Sequence, residues 1–364
     1  MEIELQKITC QEVLDGKQID GDDHKLLENN FIKVRKSVLL KNPNLDDYSD
    51  AIVYIVRADG IIIGTLYPFP TKFKAGDEIL KATSASDLFV LKEFEKYAAG
   101  ADLVMAPIKE KGSNAVILGD ISAEGMDCYH AFRFFDFALP KMIQPHSSRF
   151  IFQNFGLKGF TLNLAYRTVN LFLRSFISCS MWKLRRLANK YEIKQLTTVP
   201  EWIDDMVLND GHKYMEVHNH KWMQWCIDNS FSSDKSRSMA FYGIYDKNQQ
   251  PLGFFVNKIH TSSVPSRNIY GMRTGTIMEW GSYNEERLSE LDITKIAASY
   301  FPKDVDAIQY ASLDESVLKK MKRYGFLHHN YHHVVVKDTT KRFKEAKDPN
   351  LWRLRFGYGD SMFS

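Results

Sequence analysis

The stretch Glu95-Lys96-Tyr97-Ala98-Ala99-Gly100-Ala101 ends in four small residues where an apolar strand hands over to a helix. Helix N-termini carry unpaired N–H groups and partial positive charge, and small residues let an anion come close to the backbone. These types at this spacing fit a phosphate cradle; the plain alternative is a tight turn packed against a neighbour. Two other clusters invite chemistry. His328, His329, His332 and His333 have the look of metal ligands, yet strand alternation splits them between two faces and no carboxylate is interleaved, so they read as structural and no metal site is expected. Trp222, Trp225 and Phe231 fall at near-helical spacing, which fits a core or an aromatic platform for a sugar ring.

The elements that must position these residues come in pairs. "AIVYIVRADGIIIGTLYPF" is two β-branched runs around Ala58-Asp59-Gly60, a hairpin, and "MAFYGIYDKNQQPLGFFVNKIH" repeats that pattern. Gly64 and Gly253 open the second strand of each, 189 positions apart, and Phe137 and Phe326 close a later strand–loop–helix unit at the same offset. Val317, Leu318, Met321 and Tyr324 give the second of those helices its apolar face. The chain therefore reads as two copies of one α/β unit, 1–145 and 191–364. The segment 146–190 joins them and reads as a helical linker, strongly apolar but carrying Arg167, Arg174, Lys183, Arg185 and Arg186, which forbid a membrane span. Packing between the two copies is its first reading and weak membrane-surface contact its second. Its residues Leu162, Leu164, Val169, Leu171, Phe172, Leu173, Phe176 and Ile177 are expected to be buried.

Composition narrows the rest. Over 364 residues, 44% are hydrophobic, 26% charged and the net charge is +3, which fits a globular protein and gives no reason to expect a nucleic-acid partner. Cys10, Cys128, Cys179 and Cys226 lie far apart without a CxxC pair, and the first residues lack an apolar leader, so a cytoplasmic location is expected.

This order of hairpin, longer strand, small-residue turn into a helix, then strand and helix ending in "GF" resembles the GCN5-related N-acetyltransferase (GNAT) family, present twice. The family turn is Gln/Arg-x-x-Gly-x-Gly/Ala; here Gly100 matches its last position, Ala98 nearly matches the fourth, and Glu95 departs at the first. The resemblance implies two tandem GNAT-like domains, each a mixed, mostly antiparallel sheet flanked by helices. It implies acetyl-CoA as acyl donor, its pantetheine along Leu88, Phe89 and Val90 and its pyrophosphate at Glu95, Lys96, Tyr97, Ala98, Ala99, Gly100 and Ala101. The second copy has Asn284, Glu285, Glu286 and Arg287 at the matching turn, so its cofactor site is expected to be lost and its role to be shaping the acceptor site.

For a base, the resemblance leaves Asp87 and Glu78 on or beside the strand; the family's Tyr acid is replaced by Phe132 and Met321, with Tyr129 as the nearest substitute. The tail Asp348-Pro349-Asn350-Leu351-Trp352 with Gly359-Asp360 resembles tandem GNAT-like proteins of bacterial polysaccharide loci and implies an amino-sugar acceptor. The expected activity is acyl-CoA-dependent N-acyltransfer to an amine. A Fem-like aminoacyl transferase is one alternative, and a binding protein that kept the fold is another.

Overall fold

A computed structural model of the chain describes residues 2–17, 35–112, 116–121, 125–148, 160–229, 237–262 and 271–363. The first part gives β1 (Ile3–Thr9), α1 (Cys10–Leu14), β2 (Ala51–Ala58), β3 (Ile61–Ala75), β4 (Glu78–Val90), α2 (Ala99–Lys111), β5 (Val116–Ile121), α3 (Met126–Ala131) and β6 (Phe135–Pro145). The long helix α4 (Phe160–Ala188) follows. The second part gives β7 (Glu192–Leu196), α5 (Ile203–Leu208), β8 (Tyr214–Glu216), α6 (His220–Asp228), β9 (Arg237–Tyr245), β10 (Pro251–Thr261), β11 (Arg273–Ser282), α7 (Glu290–Ser299), β12 (Ala307–Ala311), α8 (Glu315–Met321) and β13 (Leu327–Asp338).

Both hairpins form where the β-branched runs and turn residues place them. Asp59 and Gly60 take φ of 47° and 84°, the left-handed pair that a two-residue hairpin turn requires. The strands join in one sheet, ordered β1-β2-β3-β4-β5-β13-β6-β12-β11-β10-β9-β7, with β8 beside β3. The result is the expected mixed, mostly antiparallel α/β architecture. Among the described strands only β4–β5 and β11–β12 run parallel.

At the middle of the sheet the last strands trade sides. β13 pairs with β5, and β6 pairs with β12, while β6 and β13 pair with each other. The largest core cluster is shared in the same way: Ile52, Val53 and Phe69 meet Trp222, Trp225, Phe241, Phe254, Met362 and Phe363. The two parts are therefore joined through strands and core, not chiefly through the helix between them. α4 packs on α7 and the 322–324 turn. Ile177, Met181 and Leu184 of α4 are buried, but Leu171, Phe172, Phe176 and Trp182 remain exposed. This corrects the expectation that the segment's apolar residues are buried: the exchanged strands already make the junction, and among the described residues little covers the side of α4 away from α7. Leu162 and Leu164 lie outside the described side chains. No helix among the described residues is long and apolar enough to cross a membrane.

Candidate functional site

The two parallel strand pairs each open into a gap. β4 and β5 pair only from Ala82 to Ala85 against Val116 to Gly119. Beyond that point β4 bulges at Asp87, whose φ is 47°, and its last residues stay paired to β3, with Gly64 opposite Val90. A Cβ on Gly64 would lie 2.9 Å from the Phe89 carbonyl oxygen, so glycine permits the close approach at the bulge. Gly253 meets the same requirement in the second part, 2.6 Å from the Gly281 oxygen. This backbone demand accounts for the matched glycines.

The predicted cradle assembles at the end of β4. Lys92–Tyr97 forms a short 3₁₀ turn, Ala98 enters the left-handed region at φ 61°, and α2 starts at Ala99 with no side-chain cap. Gly100 faces Val90 and Cys128, with room for a methyl group at ordinary contact distance. Leu88, Phe89, Val90 and the 95–101 turn thus share one end of β4, and Phe89, Glu95, Lys96, Tyr97 and Ala98 are exposed. Among the described residues no side chain caps the start of α2, so the N–H groups of residues 99–101 remain suited to an anion.

The proton-handling residues separate. Glu78 sits at the far end of β4, nine residues and about 30 Å from Asp87 along the strand, where Arg342 grips both its oxygens at 2.7 and 2.8 Å. Asp87 is ion-paired to the buried Arg35, whose guanidinium lies 5.0 Å from the Tyr67 ring centre. Tyr129 is buried in the apolar cluster beneath α2, edge-on to Phe134.

A carboxylate that better suits a base lies across the gap. Asp120, near the end of β5, accepts a hydrogen bond from Ser361 and faces His332 Nδ1 at 3.5 Å. Burial pushes Asp120 up to about 7, against the Ser361 hydrogen bond and the Lys258 and Lys141 charges that favour its ionised form. Burial, with Lys141, His333 and Lys258, pushes His332 down to about 3, which leaves it neutral at pH 7. Ser84 Oγ and His332 Nε2 are buried here without a hydrogen-bond partner in the described structure. Gly359 threads between Asp120 and Ser84: its Cβ would fall 3.2 Å from one and 3.6 Å from the other. Lys258 from β10 donates to the Ser361 carbonyl at 2.6 Å. The gap is therefore built from β4, β5, β10, β13 and the C-terminal segment together.

A buried ionic cluster holds that segment in place. His218 lies between Glu279 (2.6 Å) and Glu216 (3.1 Å) and stacks on Trp222 with ring centres 3.7 Å apart. Burial opposes its charge, but the two carboxylates outweigh it and raise His218 to about 9. Burial likewise opposes ionisation of Glu279, and Arg353, His218 and Arg355 overcome it to hold the carboxyl at about 2. Arg353 reaches Glu279 and Asp210, each at 3.2 Å, and the Trp280 carbonyl at 2.6 Å. Gly359 N–H donates to Glu216 at 3.0 Å. The alternating arginines of "WRLRFGYGD" were the sequence signal for this cluster, set in a run otherwise apolar.

The C-terminal segment enters both gaps, Gly359 and Ser361 at the first and residues 355–357 at the second. β11 and β12 pair over three residues, and Gly357 N–H then bonds Met278 C=O at 2.8 Å while Arg355 stacks 3.5 Å over the Trp280 ring. The turn before α7 is capped by its own side chains: Asn284 accepts from Glu286 and Arg287, and Ser289 from Asp292. Trp222 and Trp225 are core, and Phe231 lies outside the described residues. His332 stacks on Phe356, and His333 pairs with Asp136 at 3.1 Å across the strand.

No protein-family model and no curated protein sequence matches the chain. Solved structures do match it. A GCN5-related N-acetyltransferase from Anabaena variabilis superposes at TM-score 0.54 and 8% identity, covering 93% of this chain and 73% of that one. The chain has the GNAT fold. A probable N-acyltransferase from Enterococcus faecalis gives 0.54 at 9% identity, over 94% and 74% of the two chains. A Saccharomyces cerevisiae N-myristoyltransferase with bound myristoyl-CoA and inhibitors gives 0.55 at 10%, over 92% and 80%. At such identities the likeness is one of fold.

Proposed function

We propose that this protein is an acyl-CoA-dependent N-acyltransferase with a single donor site, in the first of two copies of one GNAT-like unit. The observation that carries the reading is the contrast between the two helix starts beside the gaps. α2 starts without a side-chain cap beside a strand edge that leaves its partner, whereas the turn before α7 is capped by Asn284 and Ser289. The palindromic strand order about β13 and β6 supports the two-copy reading.

In this reading the N–H groups of residues 99–101 hold the donor's diphosphate, and the edge of Leu88–Val90 pairs with its amide arm as an added strand would. The bound thioester supplies an activated acyl carbonyl. Asp120 accepts a proton from the acceptor's ammonium group; the amine then bonds to the acyl carbon as the C–S bond breaks, and the leaving thiolate takes up the second proton shed by the nitrogen. Ser84 and the neutral His332 supply polar contacts beside it. The donor is taken as acetyl-CoA. The acceptor is an amine, and the amino-sugar assignment rests on the tail's resemblance alone, because Trp222 and Trp225 are buried and offer no platform. Titration calorimetry with coenzyme A tests the reading. One site per chain is expected, lost in Gly100→Glu with the circular dichroism unchanged; two sites, or none, overturn it. Saturating ligand at 100 times its dissociation constant should stabilise the fold by about 2.7 kcal/mol.

A further inference from the structure

The outer side of α4 carries a feature that the proposed chemistry does not use. Leu171, Phe172, Phe176 and Trp182 are 68%, 72%, 50% and 61% exposed, all on the side opposite the buried Ile177, Met181 and Leu184. The exposed Arg167 precedes this apolar stretch, and the exposed Lys183, Arg185 and Arg186 follow it. Over its 29 residues α4 has five cations and no Asp or Glu. The 322–324 turn packed against it adds exposed Lys322 and Arg323, with Lys319 and Lys320 just before and Leu327, 58% exposed, just after.

We propose that this face docks on an anionic phospholipid bilayer, with α4 lying in the plane of the interface. A helix with Trp, Phe and Leu on its outward side, bordered by Lys and Arg and free of carboxylates, suits the boundary between acyl chains and headgroups. Its long cations can extend to the headgroups while their stems cover apolar surface. Charge complementarity selects the occupant. A second copy docked on the same face would set one carboxylate-free basic helix against another, whereas anionic headgroups neutralise it. The proposal stands independently of the acyltransferase reading, although together they place an acyl transfer centre beside a membrane surface.

The test is sedimentation of the full chain with phosphatidylcholine vesicles and with vesicles containing phosphatidylglycerol. Binding is expected to the anionic vesicles only and to weaken as salt rises. Each charge reversal among Lys183→Glu and Arg186→Glu should weaken it at least about fivefold. Phe172→Glu should weaken it at least about tenfold with an unchanged circular dichroism spectrum, since the side chain has no packing to lose. The Trp emission should shift to the blue on binding, and Trp182→Phe should abolish that shift. Equal binding to neutral vesicles, no binding at all, or binding indifferent to Phe172→Glu overturns the proposal. So does a dimer in light scattering that Phe172→Glu converts to monomer, which would make the face a self-interface.

Discussion

Asp120 and His218 both depart from their ordinary protonation, Asp120 through burial and His218 through Glu216 and Glu279, which outweigh burial. A carboxyl raised to about 7 is poised to change state near neutral pH, which is where a general base is most effective. The rate of acyl transfer should therefore rise through pH 7 as Asp120 ionises. Asp120→Asn should cost about 10²–10⁴ in kcat/KM and remove that limb of the profile. Glu78→Gln, at the far end of β4, should leave rate and profile unchanged; if instead Glu78→Gln lowers the rate and Asp120→Asn does not, the base is misassigned. His218 tests the ionic cluster. Its folded pKa of about 9 lies above the unfolded value near 6.5, so its contribution to stability is complete below pH 6.5 and is lost as pH rises through 9. Denaturant melts of the wild type should show falling stability across that window, and His218→Gln should be nearly flat there. Arg353→Ala strands Glu279 and Asp210 in the interior and should cost about 3–5 kcal/mol.

At the level of elements, the two gaps show how much the sequence revealed. The hairpins, the small-residue turn and the matched glycines were legible because local rules govern them: β-branching, positive φ, and a backbone approach that excludes a Cβ. Asp120 was harder to single out as a base, since its raised pKa comes from burial, and the β13 strand and C-terminal segment that bury it lie far away in sequence. The Arg353–Glu279–His218 cluster was signalled only at its arginine end, its members being 61 to 135 positions apart. The exposed stripe of α4 departed from expectation because apolar content cannot say which face finds a partner. The glycine rule gives its own test. Gly64→Val and Gly253→Val each push side-chain atoms against a strand carbonyl and should destabilise by about 1–3 kcal/mol. Only Gly64→Val, beside the proposed donor strand, should also weaken coenzyme A binding. Equal loss of affinity in both would place the donor between the two gaps or at neither.

The whole molecule raises the question of whether its two parts are separable. β6 and β13 occupy matching places in the two parts, so each part could in principle close its sheet with its own last strand: β6 beside β5, or β13 beside β12. The core argues against that rearrangement. Phe69 meets Trp225 at 6.1 Å and Phe363 at 6.2 Å, while Trp225 and Phe363 approach to 4.5 Å, so residues from both parts and the tail form one aromatic cluster. Each large apolar side chain returned to water costs about 1.5–3 kcal/mol, and Ile52, Val53, Phe69, Trp222, Phe241 and Phe254 would all lose cover on separation. That loss, about 9–18 kcal/mol for the six, is as large as the whole stability of an ordinary domain, about 5–15 kcal/mol. Gly359 and Ser361 would also leave the Asp120 gap, because the tail belongs to the second part. Fragments 1–158 and 159–364 expressed singly should therefore be insoluble, whereas co-expression should yield a 1:1 complex that binds coenzyme A. Intact protein should unfold in one cooperative transition. If either fragment alone is soluble, monomeric and folded by near-UV circular dichroism, its sheet has closed on its own last strand and the shared core is dispensable.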